Sequence, residues 1–173
     1  MKTLVLGGVR SGKSRLAEQL ARESGLPVTY VATAQPGDAE MQARIAHHRA
    51  SRPDHWRLVE EPCRLAEALQ RHARDGHCVL VECLTLWLTN LLLEADPGTF
   101  ERERDALFAV LPTLPGEIIL VGNETNMGVV PMGELSRRFC DESGWLHQAL
   151  AGFCERVLLT VAGLPLTLKG ESE

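Results

Sequence analysis

The stretch GGVRSGKS, Gly7 to Ser14, constrains this chain more than any other eight residues in it. It matches G-x-x-x-x-G-K-[ST] in full. It follows the short apolar run Thr3 to Leu6 and precedes RLAEQLARESG, where Leu16, Leu20 and Ala21 share a helical stripe ending at Gly25. Strand, glycine loop and helix in that order predict a phosphate cradle. The backbone N–H groups of Gly7, Gly8, Val9, Arg10, Ser11 and Gly12 curl around the anion, Lys13 reaches the β and γ phosphates, and Ser14 ligates Mg²⁺. Only three lysines occur, Lys2, Lys13 and Lys169, so a lysine at this position carries weight.

The rest of the chain continues the alternation. VTYVAT at 28–33 reads as a strand, AQPGDAE begins a helix carrying Met41 and Ile45, and Pro53 ends that helix at or before Arg52. WRLVE is a short strand, and RLAEALQRHARDG places Leu65 and Leu69 in helical phase before Gly76. CVLVECLTLWLTNLLLE starts as a buried strand and turns helical near Thr85. Residues 95–104, with Pro97 and Gly98, read as a polar connection into a helix around ALFAVL. EIILVGNE is a buried strand followed by the loop TNMGVVPMG. From Glu134, Leu135, Phe139, Leu146, Leu150 and Phe153 share a helical face, then RVLLTVAG is a strand and PLTLK an edge. Continuous apolar strands alternating with helices predict an α/β fold: a P-loop NTPase-like three-layer sandwich with a mostly parallel central sheet, as one domain over residues 1–173.

Charge and cysteine usage narrow the function classes. A net charge of −5 without a basic cluster argues against nucleic-acid partners, whose phosphate backbone requires a positive face. No apolar run approaches the roughly 20 residues of a membrane span, and the opening MKTLVLGG is too short for a signal-peptide core. The five cysteines are odd in number and form no C-x-x-C pair, which points to reduced thiols and a cytoplasmic location.

A phosphate cradle of this kind needs an acidic residue at the end of a neighbouring strand to hold Mg²⁺, and Glu82, closing CVLVE, is the best placed. Asn123 and Glu124 close the next apolar strand, where ligands of open α/β sheets bind, or else form an ordinary turn. The stretch ARIAHHRASRPDHW at 43–56 carries two adjacent histidines about 100° apart on a helix, a poor metal site. His48 continues the inward stripe of Met41 and Ile45, and on that ground alone reads as a core histidine; His47 falls off the stripe.

GGVRSGKS, HHRASRPDHW, VECLTLWLTNLL and GNETNMGVVP, in this order between residues 4 and 169, together resemble the bifunctional adenosylcobinamide kinase and adenosylcobinamide-phosphate guanylyltransferase of cobalamin biosynthesis. The resemblance implies phosphorylation of the aminopropanol hydroxyl of adenosylcobinamide by ATP or GTP. GMP then passes from GTP to that phosphate, giving adenosylcobinamide-GDP and pyrophosphate. It further implies that His48, which opens H-x-x-x-R-P with Arg52 and Pro53, carries the guanylyl group, and that the protein is a homo-oligomer acting on small molecules. Neutral imidazole is abundant at pH 7, and Arg44 and Arg52, one turn either side of His48 on a continuing helix, suit the charge developing on phosphate oxygens. Two positions depart from the family pattern: Gly122 stands where Thr is expected before Asn123-Glu124, and Val9 where Ala is usual.

Two rivals are separable. A regulatory GTPase reads guanine with N-K-x-D, and no lysine here follows an asparagine. A P-loop kinase for another small metabolite would use the histidine stretch only structurally and would take no covalent label from GTP.

Overall fold

The computed structural model of the chain describes residues 1–35, 37, 42 and 53–170. Seven strands form one sheet: β1 (Lys2–Gly7), β2 (Val28–Ala32), β3 (Arg57–Glu60), β4 (Cys78–Glu82), β5 (Glu117–Asn123), β6 (Arg156–Val161) and β7 (Leu164–Lys169). Their spatial order is β3-β2-β4-β5-β1-β6-β7, with every pair parallel except the β6–β7 hairpin at one edge. The helices are α1 (Lys13–Glu23), α2 (Leu65–His72), α3 (Leu84–Leu92), α4 (Thr99–Val110) and α5 (Glu134–Phe153).

Alternation along each strand divides the apolar side chains between two layers. Leu4, Leu6, Val31, Val79, Val81, Ile118 and Leu120 face a cluster closed by α2, α3, α4 and α5, with Trp87, Phe100, Leu107 and Leu150 fully or almost fully buried. Val5, Val28, Tyr30, Leu80, Ile119 and Val121 face Ala17 and Ala21 of α1, together with Trp56. The small alanines bring α1 close to the sheet, while Leu16 and Leu20 pack at the margin of this layer. Burial on both faces is why these strands read as continuous apolar runs. Each fully buried Leu or Val contributes about 1.5–3 kcal/mol, so the sheet is a rigid base for the loops at its C-terminal edge.

Two sequence expectations are corrected. The connection at 95–104 is shorter than expected, since α4 begins at Thr99. Asp96 accepts the Gly98 N–H at 3.0 Å and an Arg102 N–H at 2.8 Å, and Phe100 turns inward, so a polar-looking segment starts a helix. On α5, Leu146 and Leu150 are buried and Phe139 and Phe153 pack against the same core as expected, joined by Ser143 and His147, whereas Leu135 is exposed. The helix expected to carry Met41 and Ile45 lies outside the described residues.

Candidate nucleotide site

The cradle is built where β1 ends. Gly7 pairs with Asn123 of β5 on one side and Thr160 of β6 on the other. The chain turns through Arg10, with φ 55°, and Gly12, with φ 96°, before α1 starts at Lys13. The Ser11 N–H donates to the Gly8 carbonyl at 3.2 Å, which folds the loop over the start of α1. The first N–H groups of a helix have no partner within it, so the loop and α1 together present donors and a positive dipole end to an anion. Lys13 is largely buried, and its Nζ donates to the Gly8 carbonyl at 3.2 Å across the loop.

A brace from the far end of the chain holds this geometry. The turn between β6 and β7 brings the Gly163 N–H to the Ser11 carbonyl at 2.8 Å. A Cβ on Gly12 would stand 3.0 Å from the Gly163 Cα, so both positive φ and close approach require glycine there. Sequence reasoning missed Gly163; its only signal is an Ala-Gly pair after an apolar strand.

Glu82 ends β4, and β5 lies between β4 and β1, so the acidic strand is not the immediate neighbour of the loop's strand. Its side chain still crosses that gap: Ser14 Oγ donates to Glu82 Oε1. A hydroxyl beside a carboxylate is the hard oxygen set that suits Mg²⁺, leaving the other coordination positions to phosphate oxygens and water. The backbone behind Glu82 is fixed by Thr33, whose N–H donates to the Glu82 carbonyl at 3.1 Å. Thr33 Oγ1 also donates to the Cys83 carbonyl at 2.7 Å and accepts the Cys83 N–H at 2.8 Å. Asn90 Nδ2 donates to the Thr33 and Pro62 carbonyls at 2.9 and 3.0 Å. Asn90 and Thr85 lie in the stretch that carries the resemblance, but only the structure shows that they tie strand ends together.

Asn123 and Glu124 are next to the cradle. The Asn123 N–H donates to Thr85 Oγ1 at 2.8 Å and the Glu124 N–H to the Gly7 carbonyl at 2.9 Å. The Glu124 carboxylate accepts the Asn126 N–H at 2.7 Å, an Asx-like closure that starts the following loop. Its second oxygen lies 3.8 Å from Nδ1 of His147, a buried side chain with no hydrogen-bond partner at that nitrogen. Burial holds the His147 pKa below the ordinary imidazole value, and the nearby carboxylate only opposes that shift. At neutral pH the pair is therefore a neutral imidazole against a carboxylate, not an ion pair. The departure at residue 122 has a steric reason: a Cβ on Gly122 would stand 2.9 Å from His147 Nε2 and 3.2 Å from Leu6 Cδ2. His147 fills the volume that a side chain on residue 122 would take.

Gly7, Gly8, Val9, Arg10, Ser11, Gly12, Lys13, Ser14, Glu82, Asn123 and Glu124 are thus gathered at one edge of the sheet. His47, His48, Arg44 and Arg52 lie outside the described residues. Of their motif, Pro53 and Trp56 are described: the Trp56 N–H donates to the Pro53 carbonyl at 3.1 Å. The Trp56 ring is buried against the α1 layer, with the Arg22 guanidinium 5.6 Å from its centroid. The cysteines are free thiols, and burial pushes Cys78 and Cys154 up to about 12, which leaves those two inert as nucleophiles at neutral pH. Among the described residues no three His, Cys, Asp or Glu gather to hold a metal ion, and no helix is long and apolar enough to cross a membrane.

Comparison with known proteins identifies the family. The profile of the cobinamide kinase / cobinamide phosphate guanyltransferase family matches residues 3–168. The chain is 66% identical over 171 residues to the bifunctional adenosylcobalamin biosynthesis protein CobP of Pseudomonas aeruginosa, covering 99% of each chain. It is 41% identical over 182 residues to the bifunctional adenosylcobalamin biosynthesis protein CobU of Escherichia coli K12, covering 98% of this chain and 100% of that one. In structure it resembles a protein from Pyrococcus horikoshii OT3 with a TM-score of 0.54 and 12% identity, covering 99% of this chain and 87% of the other, a likeness of fold alone.

Proposed function

The chain belongs to the cobinamide kinase / cobinamide phosphate guanyltransferase family and is a bifunctional transferase of cobalamin biosynthesis; on that premise we propose how its residues divide the two reactions. The observation that carries the assignment of the kinase step is the Ser14–Glu82 contact beside a complete phosphate loop. In the phosphorylation of adenosylcobinamide, the loop N–H groups and Lys13 hold the β and γ phosphates of the nucleotide in line with the substrate's aminopropanol hydroxyl. Ser14 and Glu82 would hold Mg²⁺, which supplies charge neutralisation on the transferring phosphate. The hydroxyl oxygen attacks the γ phosphorus and gives up its proton to solvent, the bond to the bridging oxygen breaks, and the nucleoside diphosphate leaves. Asn123 and Glu124 stand at the edge of the cradle where that hydroxyl must approach, and we assign them to substrate contact.

In the second reaction His48 is the carrier. An imidazole nitrogen attacks the α phosphorus of GTP, the bond to the β-phosphate oxygen breaks, and pyrophosphate leaves. An oxygen of adenosylcobinamide phosphate then attacks the same phosphorus, and the P–N bond breaks to give adenosylcobinamide-GDP and free His48. Arg44 and Arg52 meet the charge on the phosphate oxygens. This assignment is supported by the H-x-x-x-R-P pattern, whose Trp56 packs on the sheet layer beside α1. Family membership likewise supports a cytoplasmic homo-oligomer that uses ATP or GTP for the first step.

The kinase assignment is tested at Lys13. Lys13→Ala should reduce phosphorylation of adenosylcobinamide by at least a hundredfold in protein whose circular dichroism shows the fold retained. Phosphorylation within a few-fold of wild type would refute the role of Lys13.

A further inference from the structure

Beyond the strand end occupied by Asn123 and Glu124, residues 125–133 and the first half of α5 expose an unusual amount of apolar surface. Val129 is 97% exposed, Met132 94% and Trp145 62%, with Met127, Val130 and Leu135 also outside. The base of this loop is not loose: Asn126 Nδ2 donates to the Cys140 carbonyl at 3.0 Å, and Arg137 to the Met132 carbonyl. The backbone is thus held while its apolar side chains point to solvent, an arrangement that marks a binding surface more often than a solvated one. Between the loop and α5 lies a cleft of about 260 Å³, lined by Asn126, Val129, Val130, Asp141, Trp145 and Gln148 among others.

The geometry points to this surface as the seat of the corrin macrocycle, the ring lying on Val129, Val130 and Trp145 and one peripheral amide arm entering the cleft. The inference rests on the cobinamide reading above and adds the residues that hold the substrate's body. Three observations favour this occupant. First, the surface is continuous with the reaction centre: the loop leaves the sheet at Glu124, whose N–H is bonded to Gly7 of the phosphate cradle. A substrate whose hydroxyl reaches the cradle lays its bulk here. Second, Asp141 is the only charged residue among the described residues that line the cleft. A cleft whose described lining holds a carboxylate and no cation, with the nearby Arg137 engaged on the Met132 carbonyl, disfavours a nucleotide and suits a cobalt corrin, which is apolar over its faces, bears a net positive charge and is fringed with neutral amides. Asn126 and Gln148 offer the donor and acceptor pair that such amides require. Third, the size is right for a part of the ligand only: a cleft below the usual 300–1,000 Å³ of a ligand pocket takes an arm, not a macrocycle, and the exposed rim provides the platform for the rest.

The test compares Val129→Asp and Trp145→Ser with a control, Leu166→Asp, an exposed apolar residue of β7 on the far edge of the sheet. The readouts are KM for adenosylcobinamide and for ATP, equilibrium dialysis with adenosylcobinamide, and sedimentation mass. The expected result is that KM and Kd for adenosylcobinamide rise at least tenfold in the two platform variants, KM for ATP moves less than threefold, and the control binds the corrinoid like wild type. Wild-type corrinoid affinity in both platform variants would overturn the inference. So would a change in sedimentation mass with corrinoid affinity intact, which would give the surface to a second copy of the chain. A wild-type protein that does not bind adenosylcobinamide at all would instead overturn the functional reading beneath it.

Discussion

Replacing Gly122 with Thr should destabilise this protein even though Thr is a favourable strand residue. Residue 122 lies within β5 and its backbone is not in the left-handed region, so nothing in its conformation requires glycine. Strand propensity alone would make Thr better by up to about 1 kcal/mol. Against this, the new Cβ would meet His147 Nε2 at 2.9 Å and Leu6 Cδ2 at 3.2 Å, with the Thr branches still to be accommodated. His147 is buried on α5 between the sheet and the helix backbone, so it must leave its rotamer or push the helix away. Overpacking of this kind costs about 1–3 kcal/mol; a central cost of about 2 kcal/mol, less the propensity gain of up to about 1 kcal/mol, leaves about 1–2 kcal/mol, and at about 2–4 °C per kcal/mol for a domain of this size Tm should fall by roughly 2–8 °C. The partner substitution reports on the cause. His147→Ser alone leaves a cavity and an unfilled polar site, but combined with Gly122→Thr it should recover much of the loss, a coupling of about 1 kcal/mol or more in a double-mutant cycle. Thermal or urea unfolding of the four proteins measures it. A neutral or stabilising Gly122→Thr, or two additive substitutions, would show that His147 is not the reason glycine stands there.

Glu82→Gln keeps the size and the hydrogen bond from Ser14 but removes the charge, so half-maximal kinase activity should need severalfold more Mg²⁺; an unchanged Mg²⁺ titration would remove Glu82 from the metal site. Burial lowers the pKa of His147, so below about 6.5 the unfolded chain binds a proton that the folded chain resists. Stability from this residue is therefore full above 6.5 and lost as pH falls through the folded value. Between pH 7.5 and 5.5, Tm should drop less in His147→Asn than in wild type; parallel pH curves would contradict the buried neutral imidazole.

The fold was legible because burial on both faces of a parallel sheet writes itself as unbroken apolar runs, as in CVLVE and EIILV, and because GGVRSGKS fixes where the first strand ends. The start of α4 was not, because Asp96 caps a turn through contacts that look like loop chemistry in the sequence. Leu135 misled in the other direction: helical phase put it in the core, but residues 134–138 at the start of α5 are all exposed, so an apolar side chain there faces solvent. In the candidate site, the positions of Lys13, Ser14 and Glu82 at the loop and strand end were readable from pattern and strand position. The braces were not, since Gly163, Thr33, Asn90 and His147 act from elsewhere in the chain through pairings that only the folded register creates. The steric link between Gly122 and His147, 25 residues apart, likewise has no local signature.

The central claim is that one chain runs two transfers, the second through a histidine that carries GMP. Incubation with GTP labelled on the α phosphate tests it most directly. The wild-type protein should retain label, whereas GTP labelled on the γ phosphate should leave none, and the adduct should be acid-labile and alkali-stable, as a phosphoramidate is. His48→Ala should lose both label and guanylyl transfer but still phosphorylate adenosylcobinamide, and His47→Ala should label like wild type. Label that survives in His48→Ala and vanishes in His47→Ala would move the carrier by one residue, and no covalent label in the wild type would contradict the guanylyl-histidine route altogether.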